Sequence, residues 1–389
     1  MAFGAQRIFP NDLRPAVGVG INLPFSGEGV FTPNFQTQEA IKNNLINLDE
    51  GYGIQLSVNS VKLLNKIGFY KFKDEKKFNP DKINFYSIKS TKKICDLDIS
   101  YFNSKDCKYT TLKRSDLINF LNKDVKDLIK HSHSISQIEH ENHKIKLTFE
   151  NRENSECDYL IISDGVFSNS KNLISKNPTR PKYNNTLAIR GMIPNSPKID
   201  YKNISLFLGP DFHQVIYPVS QNGDLNFIAI MRYELTLEKQ KNYSLFSESS
   251  FIKKVLENVP KENKVFFENV KELKIFPVFV SSDFFETKND NINLIGDAFF
   301  AFQPSFAQGA SQSIESAYEL FKSIENNTEG NYFKSRVYKT KMVNNRSKFN
   351  QFAFHLSSPL TTFFRNIFLK RLVKNKKFLE SYLGKIYNN

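Results

Sequence analysis

A chain of 389 residues is long enough for two domains, or one large domain with a lobe, around an apolar core that needs no staples. Three cysteines, Cys95, Cys107 and Cys157, with no C-x-x-C pair argue against a disulfide framework and a cysteine zinc site, and fit a reducing, cytoplasmic setting. The net charge of +14 is spread along most of the chain, which argues against a nucleic-acid partner, and no signal-like start or transmembrane run of about 18 apolar residues is present.

Residues 1 to 48 carry Pro10, Pro15, Pro24 and Pro33 among several glycines and read as loop-rich, with a helical pattern only over Gln36 to Leu48. From Gly53 a short extended piece leads into "NSVKLLNKIGFY", where Val61, Leu63, Leu64 and Ile67 predict a short helix. A second helix is predicted from Arg114 in "RSDLINFLNKDVKDLI". "SISQIEH", "KIKLTFE" and "CDYLIISDG" read as strands, the last an apolar run that stops at polar residues as a buried strand does at a ligand crevice. From about 180 to 280, "NTLAIRGMI", "SLFLG", "HQVIYPV" and "LNFIAIMR" are broken by turns such as Gln221-Asn222-Gly223 and predict an antiparallel second lobe. "NINLIGDA" gives one more buried strand, and a long helix is predicted from Gly309. Over Arg365 to Lys385, lysines and arginines interleave with Phe364, Ile367, Phe368, Leu372 and Phe378. This reads as a basic amphipathic helix at an interface, suited to association with a surface, or, as such patterns more often are, as a solvated face over a packed one.

Two strand ends carry chemistry, Asp164-Gly165 and Gly296-Asp297. In an open α/β sheet the crevice lies beyond the carboxyl ends of the strands, where a carboxylate can accept hydrogen bonds from ribose or ribityl hydroxyls and glycine lets backbone come close. The second continues as "GDAFFAFQPSFAQGASQSIESA". Pro304 stiffens the approach, and Gly309 opens a helix whose first N–H groups and positive dipole end suit an electron-rich ring edge. His131, His133, His140 and His143 fall on a polar turn and strand edges with no carboxylate at a fixed spacing, so no metal site is expected there.

The "GDAFFAFQPSFAQG" stretch resembles the GDAAH-x-x-x-P-x-x-x-Q-G motif of flavin-dependent aromatic hydroxylases, the salicylate and para-hydroxybenzoate hydroxylase family, with Phe300 at the motif histidine. The resemblance implies that Asp297, beside Gly296, binds the flavin ribityl chain and that Pro304, Gln308, Gly309 and Ala310 line the isoalloxazine. "YLIISDGVFSNSK" resembles the family's D-G-x-x-S-x-x-R segment through Asp164, Gly165 and Ser168, with Lys171 in place of arginine. "GYGIQLSVNSVKLLNKIG" is similar to the segment after the family's second strand, with Gly53 and Asn59 in place. Arg114 resembles the arginine that reaches the FAD diphosphate. In "LGPDFHQVIYPV", His213 and Tyr217 lie four apart on one strand face and match places that face the aromatic substrate, where a histidine can draw the proton of a ring hydroxyl.

The family likeness implies an α/β fold. A Rossmann-like FAD-binding domain would be split over 49–180 and 286–330, with an antiparallel β substrate lobe inserted over 181–285 and a C-terminal helical segment over 331–389. It also implies FAD as cofactor, NADH or NADPH as reductant, dioxygen as co-substrate and a small aromatic ring as the group hydroxylated. A related flavin oxidoreductase acting on a non-aromatic substrate is the alternative.

The family's opening G-x-G-x-x-G turn is missing. Gly18-Val19-Gly20 runs on into "INLPFSG", with Pro24 where the helix would be. Residues 1–48 instead resemble the start of a baseplate wedge subunit of contractile-tailed phages, as if a foreign segment had replaced the first βαβ element, which makes an inactive chimera with a phage structural segment a second alternative. The expected consequence is a parallel sheet lacking a central strand, a diphosphate without its N–H cradle, and FAD held weakly or not at all.

Overall fold

The computed structural model describes residues 52–131, 133–141, 144–176, 180–193 and 202–387, together with the strands 14–16 and 24–30. The Gly18-Val19-Gly20 triplet, the helical pattern over Gln36 to Leu48 and His143 lie outside the described residues.

A parallel sheet carries both strand ends. Its members β1 (Arg14–Ala16), β2 (Pro24–Val30), β11 (Tyr159–Ile162) and β17 (Ile292–Leu294) lie in that order. β11 and β17 are short and apolar because they are covered on both faces, as parallel strands require. The expectation of a missing neighbour is corrected here: β2 runs parallel to β11, with Gly29 opposite Tyr159 and Val30 opposite Leu160. "CDYLIISDG" also divides in two. Cys157 ends β10 (Asn154–Cys157), which pairs antiparallel with β9 (Lys144–Phe149) and through it with β8 (Ile135–Glu141), and the chain enters β11 one residue later, at Tyr159.

The second lobe is a seven-stranded sheet. Its order is β16 (Lys271–Val280), β12 (Lys182–Ile193), β15 (Leu225–Arg232), β14 (Phe212–Pro218), β13 (Ile204–Gly209), β5 (Lys82–Ser87) and β6 (Lys93–Asp98). All neighbours are antiparallel except β13 and β5, and β5 and β6 come from before residue 180, so this sheet spans that boundary. One face buries Leu187, Ile189 and Phe227 with Phe251 and Val255 of a covering helix. The other buries Leu206 and Tyr217 with Val343, Leu379 and Leu383 from the C-terminal helices.

A small sheet joins the two parts, with β7 (Thr110–Lys113) flanked by β3 (Gly53–Leu56) and β4 (Lys77–Phe78). Gly53 is glycine because β3 presses on β15: an added Cβ would stand 2.5 Å from Cβ of Asn226. The Gly53 N–H donates to Asn226 Oδ1 over 2.6 Å. The helices that frame the crevice are α1 (Val58–Asn65), α2 (Arg114–Asn122), α3 (Asn169–Ile174), α4 (Gly296–Phe300), α5 (Gly309–Glu325), α6 (Glu329–Phe354) and α7 (Pro359–Leu372). α5 buries Ile314, Ala317, Leu320 and Phe321 at helical spacing against β11 and β17, which fixes its N-terminus beyond the strand ends. No helix among the described residues is long and apolar enough to cross a membrane.

Candidate functional site

Both strands end on a glycine that adopts positive φ, +82° at Gly165 and +57° at Gly296, so the chain turns sharply into α3 and α4. Asp164 is buried at the first turn, and its Oδ2 accepts the Ser170 N–H at 3.0 Å. Ser168 Oγ caps α3 by accepting the Lys171 N–H at 2.9 Å. Lys171 Nζ donates to the Ala298 carbonyl at 3.4 Å, so this lysine ties one strand end to the other. Burial lowers its pKa, and Asp164 opposes that shift.

Gly296, Asp297, Phe300, Gly309, Gln312 and Arg336 line a shallow hollow with a cavity volume of about 10 Å³ that opens to solvent. Asp297 retains an exposed surface, yet surrounding protein desolvates it enough to push its pKa up to about 6. The two observations agree for a carboxylate on the wall of an open crevice. Among the described residues Asp297 makes no hydrogen bond or ion pair. A Cβ on Gly309 would meet nothing within 4 Å, so the start of α5 faces open space. The approach is a 3-10 turn over Pro304–Phe306 that ends on Ala307 in the left-handed region, φ +52°. A non-glycine residue there stores strain.

Gln308 and Ala310 point elsewhere. Gln308 is buried and donates to Ser57 Oγ at 3.2 Å, while Ala310 packs on the core. Gln308 belongs to a buried polar network that sequence reading did not find. Asn59 and Gln312 donate to Glu315 Oε2 at 3.0 and 2.9 Å, and Lys339 Nζ stands 2.9 Å from Glu315 Oε1 as an ion pair without hydrogen-bond alignment. Arg336, 2% exposed, donates to Gln312 Oε1 at 2.7 Å and to Glu319 at 3.2 Å. This network locks α1, α5 and α6 together directly behind the hollow.

Arg114 opens α2; the residue keeps an exposed surface, but neighbouring protein desolvates its guanidinium enough to lower its pKa, with the charge of Arg190 as the second cause. Arg190, on β12, lies 5.9 Å over the Phe276 ring and keeps a buried Nε without a hydrogen-bond partner. Among the described residues neither arginine pairs with an acid.

His213 and Tyr217 share one face of β14, both buried. Tyr109 donates to Gln55 Oε1 at 2.8 Å, and Gln55 also hydrogen-bonds Tyr217, whose pKa burial raises. His213 Nδ1 lies 2.7 Å from His355 Nε2 at the end of α6, and its ring meets Phe354 edge-on at 5.3 Å. Burial first, and His355 second, lower the His213 pKa well below its usual value. His133, from the histidine-rich turn, instead contacts Glu153 at 3.0 Å.

No protein-family profile and no curated protein matches the sequence. Solved structures do match. HpxO of Klebsiella pneumoniae, crystallised with FAD and uric acid, superposes with a TM-score of 0.71 over 91% of this chain and 90% of its own, at 13% identity. The fold is that of FAD-binding monooxygenases. A salicylate hydroxylase in a substrate complex matches at TM-score 0.69 and 18% identity, covering 87% of this chain and 88% of that one. The p-nitrophenol 4-monooxygenase PnpA of Pseudomonas putida DLL-E4 matches at 0.66 and 13%, covering 85% and 86%. At these identities the likeness is one of fold alone.

Proposed function

We propose that the chain is a FAD-dependent monooxygenase that hydroxylates a small aromatic ring at the expense of NADH or NADPH and dioxygen. The observation that carries this reading is the hollow between Asp297 and the open start of α5, at the crevice of a fold shared with FAD-bound HpxO and salicylate hydroxylase. The groups present fit a flavin. Asp297 is an acceptor that meets no donor among the described residues, suited to ribityl hydroxyls, and with a pKa of about 6 it is mostly ionised at neutral pH. The first N–H groups of the 17-residue α5 present partial positive charge to a ring edge, and Gly309 leaves room for it. Arg114 offers a planar set of donors to the diphosphate. Bound flavin supplies the redox chemistry, passing reducing equivalents from the nicotinamide to dioxygen.

The protein's part is to hold and enclose. The Asp164 and Lys171 contacts fix the first strand end against α4, and the Glu315 network fixes α5. On the substrate side, Tyr217 and His213 present one strand face. In the tautomer where the His213 Nδ1–H donates to His355 Nε2, His213 Nε2 is left as an acceptor for a ring hydroxyl. Its depressed pKa makes it a group that orients and polarises that hydroxyl rather than one that carries the proton away. The G-x-G-x-x-G turn has no counterpart in the sequence, so FAD is retained weakly.

The test is NAD(P)H oxidation by the FAD-supplemented chain over a panel of phenols and hydroxylated heteroaromatics, with product analysis. Hydroxylated product formed in step with NAD(P)H loss supports the reading. Oxidation of a non-aromatic substrate with no oxygen inserted would replace it with the alternative oxidoreductase.

A further inference from the structure

Soluble chains seldom leave a large contiguous apolar patch in water, and such a patch rimmed by charge marks an interaction surface. α7 (Pro359–Leu372) is such an element, since none of its residues is buried. Its inner side is tied down: Leu369 packs toward the core cluster that holds Phe354, and Arg365 Nη1 reaches the Ala353 carbonyl at 3.4 Å. Its outer side carries a row at four-residue spacing, Leu360, Phe364 and Phe368, which are 64, 49 and 58% exposed. Phe363 stands beside the row with its ring 5.7 Å from that of Phe364 and is 59% exposed. Phe352, on the last turn of α6 next to the Arg365 contact, is 66% exposed.

The chain on either side of this row carries charge of one sign, and Asp96 of β6, which packs against α7, is already paired with Lys82 and Lys93. Between Glu329 and Glu380 the sequence contains twelve lysines or arginines and no acidic residue. Two of these, Arg336 and Lys339, are neutralised inside the protein by Glu319 and Glu315. Lys370, Arg371 and Lys374, which follow the phenylalanine row, are exposed, as are Lys376 and Lys377 just beyond.

We propose that the outer face of α7 docks the protein on an anionic lipid bilayer. The phenylalanine row enters the boundary between headgroups and acyl chains, and the lysines and arginines after it contact lipid phosphates. A second copy fits poorly, because a two-fold contact would set one predominantly basic face against another. Single-stranded nucleic acid would use the cations but leave the aliphatic member of the row, Leu360, without a partner.

The experiment is co-sedimentation of the full chain with vesicles of phosphatidylcholine mixed with phosphatidylglycerol, against vesicles of phosphatidylcholine alone. Two variants are compared, one with Phe363→Ser, Phe364→Ser and Phe368→Ser, the other with Lys370→Gln, Arg371→Gln and Lys374→Gln. All these side chains are exposed, and unchanged thermal melts confirm folding. The expected result is binding to the mixed vesicles that weakens with salt and falls about tenfold or more in each variant. Absence of binding to the mixed vesicles, or binding unaffected by either variant, would overturn the proposal. So would a phenylalanine-dependent dimer in sedimentation velocity, or phenylalanine-dependent binding to a single-stranded oligonucleotide in place of vesicles.

Discussion

His213 and His355 share a hydrogen bond of 2.7 Å that joins the central part of the substrate sheet to the end of helix α6. Neither ring has room for a second proton at neutral pH. Burial lowers His355 from 6.5 to about 4 and holds His213 well below its usual value. The folded protein therefore keeps both neutral at pH values where the unfolded chain protonates them, so their contribution is complete above about pH 6.5 and is lost as pH falls toward 4. The melting temperature should drop steadily over that window. His355→Gln should make the drop shallower, and a slope identical to the parent's would show that the pair does not control acid stability.

Ala307 turns the chain into the start of α5 at φ +52°. Left-handed backbone costs an alanine roughly 1–2 kcal/mol, part of which is offset by the freer unfolded chain of a glycine variant. Ala307→Gly should raise stability by about 1 kcal/mol in urea denaturation. A loss of stability would mean that the alanine methyl packs more than it strains.

Glu315 and Lys339 are both more than nine-tenths buried. Removing one partner leaves a charge inside the protein, so Lys339→Met should cost about 3 kcal/mol despite the Asn59 and Gln312 hydrogen bonds that remain on Glu315. The double variant Lys339→Met with Glu315→Gln should recover most of that loss. If it is as unstable as the single variant, packing rather than charge holds the three helices.

Either strand end alone reads as readily as a turn, and the second was legible because its apolar run continues through Pro304 to Gly309. Gly309 was legible in turn, standing where a long amphipathic pattern begins. The substrate sheet was read only in part: β5, "KINFYS", and β6, "KICDLD", are half polar, and β5 finds its parallel partner β13 well over a hundred residues away. Arg336, Lys339 and Glu315 look in sequence like the solvated face of a helix, and only their burial reveals the network. His355 is a lone histidine at a helix end, and nothing in its spacing points to His213. β2 was unreadable because a segment with Pro24 at its head lacks the texture of a dinucleotide-binding strand. The exposure of the phenylalanines of α7 follows from tertiary packing, which no periodicity encodes.

The central claim, that Asp297, Gly309 and Arg114 form a flavin site lacking its phosphate cradle, is tested most directly by titrating the purified chain with FAD and following flavin fluorescence. Saturable binding weak enough for FAD to be lost on gel filtration is expected, weakened about tenfold or more by Asp297→Ala and by Arg114→Ala. Stoichiometric FAD that survives gel filtration would contradict the missing cradle, and either no binding or binding indifferent to Asp297 would contradict the site itself.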